Sequence, residues 1–286
     1  MTNETSVRRW GGGEASEWLA APHDGDDKYT RGVLGVVTGS DEYPGAAVLG
    51  VEAAVRTGVG MLRYLGDDVP ARLVLQRRPE TVTANGRVQA WLLGSGMDAA
   101  HRHAANEERL RVALAQDVPA VMDAGALDLI GDATGPVVIT PHFRELSRVL
   151  AAHGVTASPQ QIAADAPHWA RESARLTGVT VLLKGHLTHV ATPSGEVFVA
   201  SEGANWLATA GSGDVLGGVL GALVATHADE IAADGHDVLA KLAATAAVVH
   251  GLAGRAASDA FGGGPIAALD VAEALPGVVG ALLAGR

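Results

Sequence analysis

Short β-branched runs alternate with longer alanine-rich stretches along almost the whole chain, and this alternation restricts the folds open to it. Val33–Thr38, Met61–Leu65, Val88–Leu93, Pro119–Asp123, Pro136–Thr140 and Val179–Leu183 read as buried strands. Helical stretches separate them at Pro44–Thr57, Ala99–Ala115, His142–Ala152 and Ile162–Leu176. Apolar strands that alternate with helices predict an α/β protein with a largely parallel sheet. Leu187–Thr192 and Glu196–Ala200, joined by Ser194-Gly195, form a hairpin pattern that predicts antiparallel strands at one edge. Further helices are expected at Asp214–Thr226, Val238–Ala257 and Leu269–Leu283. Asn85-Gly86 marks a turn rather than a domain boundary. With no internal repeat and no long linker, a single α/β domain is the simpler reading.

The 21 Lys and Arg against 32 Asp and Glu leave a formal charge of −11. Phosphates are repelled over most of such a surface, which argues against a nucleic-acid or anionic-membrane binder. A phosphate ligand must then be held by local backbone donors and a few cations. The lack of cysteine removes disulfides, thiolate nucleophiles, iron–sulfur clusters and cysteine-ligated zinc, and is compatible with a cytoplasmic enzyme. Met1–Asp27 carries Glu4, Arg8, Arg9, Glu14 and Glu17 and lacks the apolar core of an export signal. The longest apolar run, Val215–Thr226, is shorter than the roughly 20 residues a membrane span needs. Apolar around its whole circumference, it reads as a buried central helix. The histidines show no metal-binding spacing, so no dedicated transition-metal site is expected.

In open α/β sheets, ligands sit beyond the carboxyl ends of the strands, and several segments there attract attention. In Ala210-Gly211-Ser212-Gly213-Asp214, two glycines open an apolar helix. A helix start offers unpaired N–H donors and partial positive charge, which makes an anion site. Asp214 is either an ordinary first-turn acid or a carboxylate that orients and deprotonates an acceptor hydroxyl. Lys184 ends a buried strand with Gly185 after it, as a solvated turn lysine or as a cation at the ligand rim. Thr140-Pro141-His142 runs into a helix with Glu145 three residues on, and His142 is either a cap or a ligand contact. Gly94-Ser95-Gly96 with Ala99 fits the permissive pattern G-x-G-x-x-A, with Asp117 or Asp123 as its distant acid. No P-loop pattern is present.

Together and in order, these segments are far more specific than any alone. Lys28-Tyr29-Thr30-Arg31-Gly32, Gly39-Ser40, Tyr43-Pro44-Gly45-Ala46-Ala47, Leu93-Gly94-Ser95-Gly96 and Met122-Asp123-Ala124-Gly125-Ala126-Leu127 come first. Thr140-Pro141-His142, Leu183-Lys184-Gly185, Ala210-Gly211-Ser212-Gly213-Asp214-Val215-Leu216 and His250-Gly251-Leu252-Ala253-Gly254 follow. The chain thereby resembles the ADP-dependent NAD(P)H-hydrate dehydratases of the ribokinase-like superfamily, from Lys28 to its end.

The resemblance implies a three-layer ribokinase-like sandwich over residues 28–286, with 1–27 as an N-terminal tail too short for the epimerase domain of fused relatives. It implies repair of hydrated NADH and NADPH, with ADP or ATP as phosphoryl donor and Mg²⁺ assisting, in a cytoplasmic homotetramer. By the same resemblance, Ala46, Gly96 and His142 contact the hydrated dinucleotide, and Asp214 meets its hydroxyl. Lys184, Gly185, His186, Leu187 and Thr188 line the adenine-nucleotide side with Gly213, while Gly211 and Ser212 belong to the anion hole. Two departures fall near these ligands: Phe143-Arg144 stand where proline and glycine are usual, and Ala204-Asn205-Trp206 where Asn-Pro-Gly is common. The rivals are a ribokinase-like vitamin kinase with Asp214 as its base, a nucleotide-binding module without turnover, and, ranked last, an NAD-dependent oxidoreductase built on the Gly94 loop.

Overall fold

The computed structural model describes residues 7–285; Met1–Ser6, the start of the expected tail, and Arg286 lie outside the described residues. In chain order the regular elements begin with β1 (Val7–Arg9), α1 (Gly12–Glu17), β2 (Val33–Val37), α2 (Pro44–Thr57), β3 (Met61–Tyr64) and α3 (Asp68–Arg77). There follow β4 (Ala90–Leu93), α4 (Ala104–Leu114), β5 (Ala120–Met122), β6 (Val137–Ile139), α5 (Phe143–Ala152), α6 (Pro159–Ala164) and α7 (Ala166–Thr177). The chain then forms β7 (Thr180–Leu183), β8 (Thr188–Ala191), β9 (Val197–Ala200), α8 (Ser212–Thr226), α9 (Ala228–Asp234), α10 (His236–Ala260) and α11 (Ala268–Ala284).

The strands make one nine-stranded sheet in the order β1-β9-β8-β7-β6-β5-β4-β2-β3. β7 pairs antiparallel with β8, and β8 with β9. The remaining pairs are parallel. Side chains alternate faces along each strand, and β2 shows the consequence. Leu34 and Val36 enter one core with α2, α8, α10 and α11, whereas Val33 and Val37 enter a second with α4, α5, α6 and α7. The result is the expected three-layer sandwich, with a mostly parallel sheet between two helical layers.

In α8, every residue from Val215 to Ala225 is buried, as its uniformly apolar circumference predicts. α10 is long and apolar enough to cross a membrane, but 83% of its most apolar window is buried inside the protein, as a core helix would be.

The predicted tail is corrected over its described part. Val7–Arg9 pairs parallel with β9 and so extends the sheet beyond the antiparallel hairpin. Trp10 is only 3% exposed, donates Nε1 to Thr245 Oγ1 at 3.1 Å, and meets Phe198 edge-to-face. A three-residue edge strand with two arginines carries no alternation long enough to recognise. The predicted helix Ile162–Leu176 divides at Asp165, whose side chain accepts from the His168 N–H to cap α7. In an unbroken helix, Pro167 would lose a hydrogen bond and clash with the preceding turn, so the chain restarts there. The helix expected from Ala99 starts only at Ala104, where His103 caps it.

Candidate active site

Four adjacent strands deliver polar residues to one spot beyond their carboxyl ends: Ser95 after β4, Asp123 after β5, Thr140 after β6 and Lys184 after β7. Asp123 Oδ1 accepts from Lys184 Nζ at 2.8 Å and from Thr140 Oγ1 at 2.9 Å, while Oδ2 accepts from Ser95 Oγ at 3.3 Å. Glu145 Oε2 lies 3.9 Å from the same ammonium and accepts from the His142 N–H at 2.8 Å. Burial works against the charge of Lys184, but Asp123, Glu145 and Asp214 outweigh it and raise its proton affinity. Lys184 is therefore a held cation rather than a solvated turn residue.

The start of α8 faces this cation: a Cβ built on Gly213 would lie 3.5 Å from Lys184 Nζ. Gly211, at φ +86°, takes the left-handed conformation that glycine adopts without steric cost and begins the helix with no side-chain cap. The first-turn N–H groups remain available as anion donors. Asp214 stands in the helix's first turn, and its carboxylate accepts no hydrogen bond among the described residues, so it is not a capping residue. Burial first, then the charge of Asp123, pushes its carboxyl up to about 6, against the opposing pull of Lys184. That places it near the working range of a general base. Ser212 Oγ lies 3.1 Å from His250 Nε2, and burial holds the imidazole at about 4, hence neutral.

A cavity of about 600 Å³ opens between Lys184, Ser212 and His250, and Asp214 lies outside its lining. Lys184, Gly185, His186 and Thr188 form one wall, Ser212, Gly213 and His250 another, and His142 its rim. Leu187 does not line it; its side chain is 44% exposed. Gly211 is also outside the wall, packed against Leu49 and Ala268. Both are corrections to the expected contacts, and Gly211 acts by turning the backbone into α8. A larger cavity, about 690 Å³ beside Tyr64 and Arg109, includes neither Lys184 nor Asp214.

Ala46 and Gly96 come together where β2 turns to β3 on one side and β4 on the other, the topological switch point. A Cβ on Gly96, which sits at φ +69°, would lie 2.4 Å from Ala46 Cβ. His142 caps α5, its Nδ1 accepting from the N–H groups of Arg144 and Glu145 at 3.1 and 3.2 Å. The capping alternative is thus realised, and the ring still stands at the cavity rim. The dinucleotide pattern at Gly94 fails structurally, because no helix begins at Ala99 and Asp123 is occupied by Lys184. Beyond that failed pattern Asp123 had no assigned role in the sequence, and Glu145 and His250 had none. The signal that could have found Asp123 is its position immediately after a strand, between two others that also end in polar residues.

A family model described as NAD(P)H-hydrate dehydratase matches residues 34–277. The chain belongs to the NAD(P)H-hydrate dehydratase family. It is 42% identical over 224 residues to the bifunctional NAD(P)H-hydrate repair enzyme Nnr of Mycobacterium tuberculosis, covering 74% of this chain and 44% of that protein. It is 30% identical over 288 residues to the ADP-dependent (S)-NAD(P)H-hydrate dehydratase of Xanthomonas campestris, covering 92% and 93%. The chain thus spans about half the length of the bifunctional relatives it matches. The ADP/ATP-dependent NAD(P)H-hydrate dehydratase of Bacillus subtilis, co-crystallised with ATP and Mg²⁺, shares the fold. Its TM-score is 0.82 at 24% identity, over 99% of this chain and 100% of that one. The candidate site residues Lys184, Gly213 and Asp214 all fall inside the matched span.

Proposed function

We propose that the protein repairs hydrated NADH or NADPH by nucleotide-dependent dehydration. The observation that carries this is the convergence of Asp214, the uncapped start of α8 and Lys184. The adenine nucleotide enters the cavity along Lys184–Thr188 and turns its phosphates toward Gly213 and the α8 N–H groups, which stabilise charge on the transferring group. The hydrated nicotinamide ring approaches from Ala46, Gly96 and His142. Asp214 accepts the ring hydroxyl proton as that oxygen attacks the terminal phosphorus of ADP, and AMP leaves. The phosphate ester is then eliminated together with an adjacent ring proton, which restores the ring double bond and releases phosphate.

Among the described residues, no three His, Asp or Glu side chains gather into a metal cluster. Mg²⁺ suits this donor set as an ion carried on the nucleotide's own phosphates, where it neutralises their charge. The cytoplasm and a homotetramer are the compartment and assembly we assign, and light scattering of the purified protein measures the latter.

The test is the return of NADH absorbance from hydrated NADH with Mg²⁺ and either ADP or ATP. Recovery that requires nucleotide supports the repair reaction, and the better donor identifies the phosphoryl source. A folded, nucleotide-binding protein without recovery would sink the reading. Accumulation of a phosphoester from a vitamin-like alcohol would replace it with a kinase.

A further inference from the structure

We propose that Asp123 is a positioning residue that acts through Lys184: its carboxylate holds the ammonium against the start of α8, beside Gly213, where a nucleotide phosphate docks. The assignment rests on the nucleotide-dependent reading above.

Asp123 is 4% exposed and its carboxylate is taken up by protein donors, which leaves it almost no surface to offer a ligand. Its two oxygens take three donors from three neighbouring strand ends: Lys184 and Thr140 on one, Ser95 on the other. A flexible lysine stem is thereby restricted to one direction. An ammonium has three N–H donors. Asp123 takes one, Glu145 at 3.9 Å lies beyond hydrogen-bond reach, and the side remaining open faces Gly213 and the cavity. A buried ion pair by itself is weak evidence for a stabilising role, since desolvation offsets its attraction. A pair whose cation projects into a ligand cavity has a different use.

Asp123 has a second effect through charge. Asp214 is faced by Asp123 and Lys184, and Lys184 by Asp123, Glu145 and Asp214. His250, which approaches Ser212 from α10, is neutral, and His142 is turned to its capping bonds beside Glu145. Removing the Asp123 charge lowers the proton affinity of Asp214, whereas removing the Lys184 charge raises it. The two substitutions therefore move the acid limb of the pH–rate profile in opposite directions.

The experiment uses Asp123→Asn, Lys184→Met and the double variant of the full chain. Calorimetry with ADP and Mg²⁺ should show binding weakened about tenfold or more in Asp123→Asn, the scale of a charge-assisted hydrogen bond. In the Lys184→Met background the same change should cost almost nothing, because its intermediary is gone. Turnover of hydrated NADH should show the acid limb moving to lower pH in Asp123→Asn and to higher pH in Lys184→Met. Additive binding losses, or an Asp123→Asn protein with unchanged ADP affinity, would overturn the proposal. If Asp123→Asn does not fold, Ser95→Ala and Thr140→Ala loosen the same carboxylate without touching charge, and must weaken ADP binding if the proposal holds. Calorimetry needs no hydrated substrate. A wild-type protein that binds ADP without turnover would defeat the dehydratase reading, while the binding cycle still decides the role of Asp123.

Discussion

Ser212 Oγ, at the first residue of α8, lies 3.1 Å from Nε2 of His250, which sits in the middle of α10. The uncapped start of one core helix is thus tied to the buried length of another. His250 is held at about 4 by burial, below the ordinary histidine value of 6.5. The unfolded chain therefore binds a proton that the native protein refuses between those two values, and stability rises with pH across that window.

His250→Gln keeps a hydrogen-bonding group and removes the titration. Urea unfolding at pH 7 and pH 5 should show the wild type losing more stability than the variant on acidification. Parallel losses would show that His250 is not the group responsible.

Asp214→Asn should keep the fold and reduce turnover about 10²–10⁴-fold, the scale of a positioned acid–base group. In the wild type, kcat/KM should fall as pH drops through about 6, where the carboxylate becomes protonated. A folded-state value above the unfolded 3.8 also means that ionisation opposes folding, so this contribution is lost as pH rises toward 6. Asp214→Asn should consequently raise the melting temperature at pH 7. A variant that is less stable and fully active would contradict both parts.

Gly96→Ala should raise the KM for hydrated dinucleotide far more than the Kd for ADP. The new methyl would meet Ala46 Cβ at 2.4 Å and impose φ +69° on a residue with a side chain, while the nucleotide cavity lies elsewhere. Steady-state kinetics alongside ADP calorimetry separates the two effects. Equal losses in both would show that the two sides of the site are not independent.

Glu52 is fully buried in α2 and binds Arg56 of its own helix with Arg77 and Arg78 of α3 and its C-cap. Burial alone would push its carboxyl up, but Arg78, Arg56 and Arg77 bring it down to about 2. Because the folded value is depressed, this stabilisation is present above about 4.5 and is lost as pH falls toward 2. Glu52→Gln leaves the guanidiniums without their anion and should cost about 3–5 kcal/mol at pH 7, measured by urea unfolding. A cost below about 1 kcal/mol, the level of a surface ion pair, would show that the cluster is not stabilising.

The legible part of this protein was local. The apolar strands, the proline-started α2, the glycine-led α8 and the residues just beyond strand ends all carry signals within a few positions. β1 was not legible, because Val7–Arg9 is defined by pairing with β9 and by Trp10 reaching Thr245, partners nearly two hundred or more residues away. The split between α6 and α7 was available in Pro167, but helical composition on both sides masked it.

Sequence alone determined the layered α/β fold and the family, and it singled out Lys184 and Asp214, the two charged residues on which the proposed reaction rests. These follow from periodicity, from glycine at a helix start and from the order of the motifs. Tertiary structure decided that Asp123 holds Lys184, that Leu187 turns outward, and that His250 supports Ser212. Side chains far apart in the chain meet only when parallel strands align their carboxyl ends. Burial at that meeting point then sets the protonation of Asp214, which depends on distance and desolvation rather than on residue order.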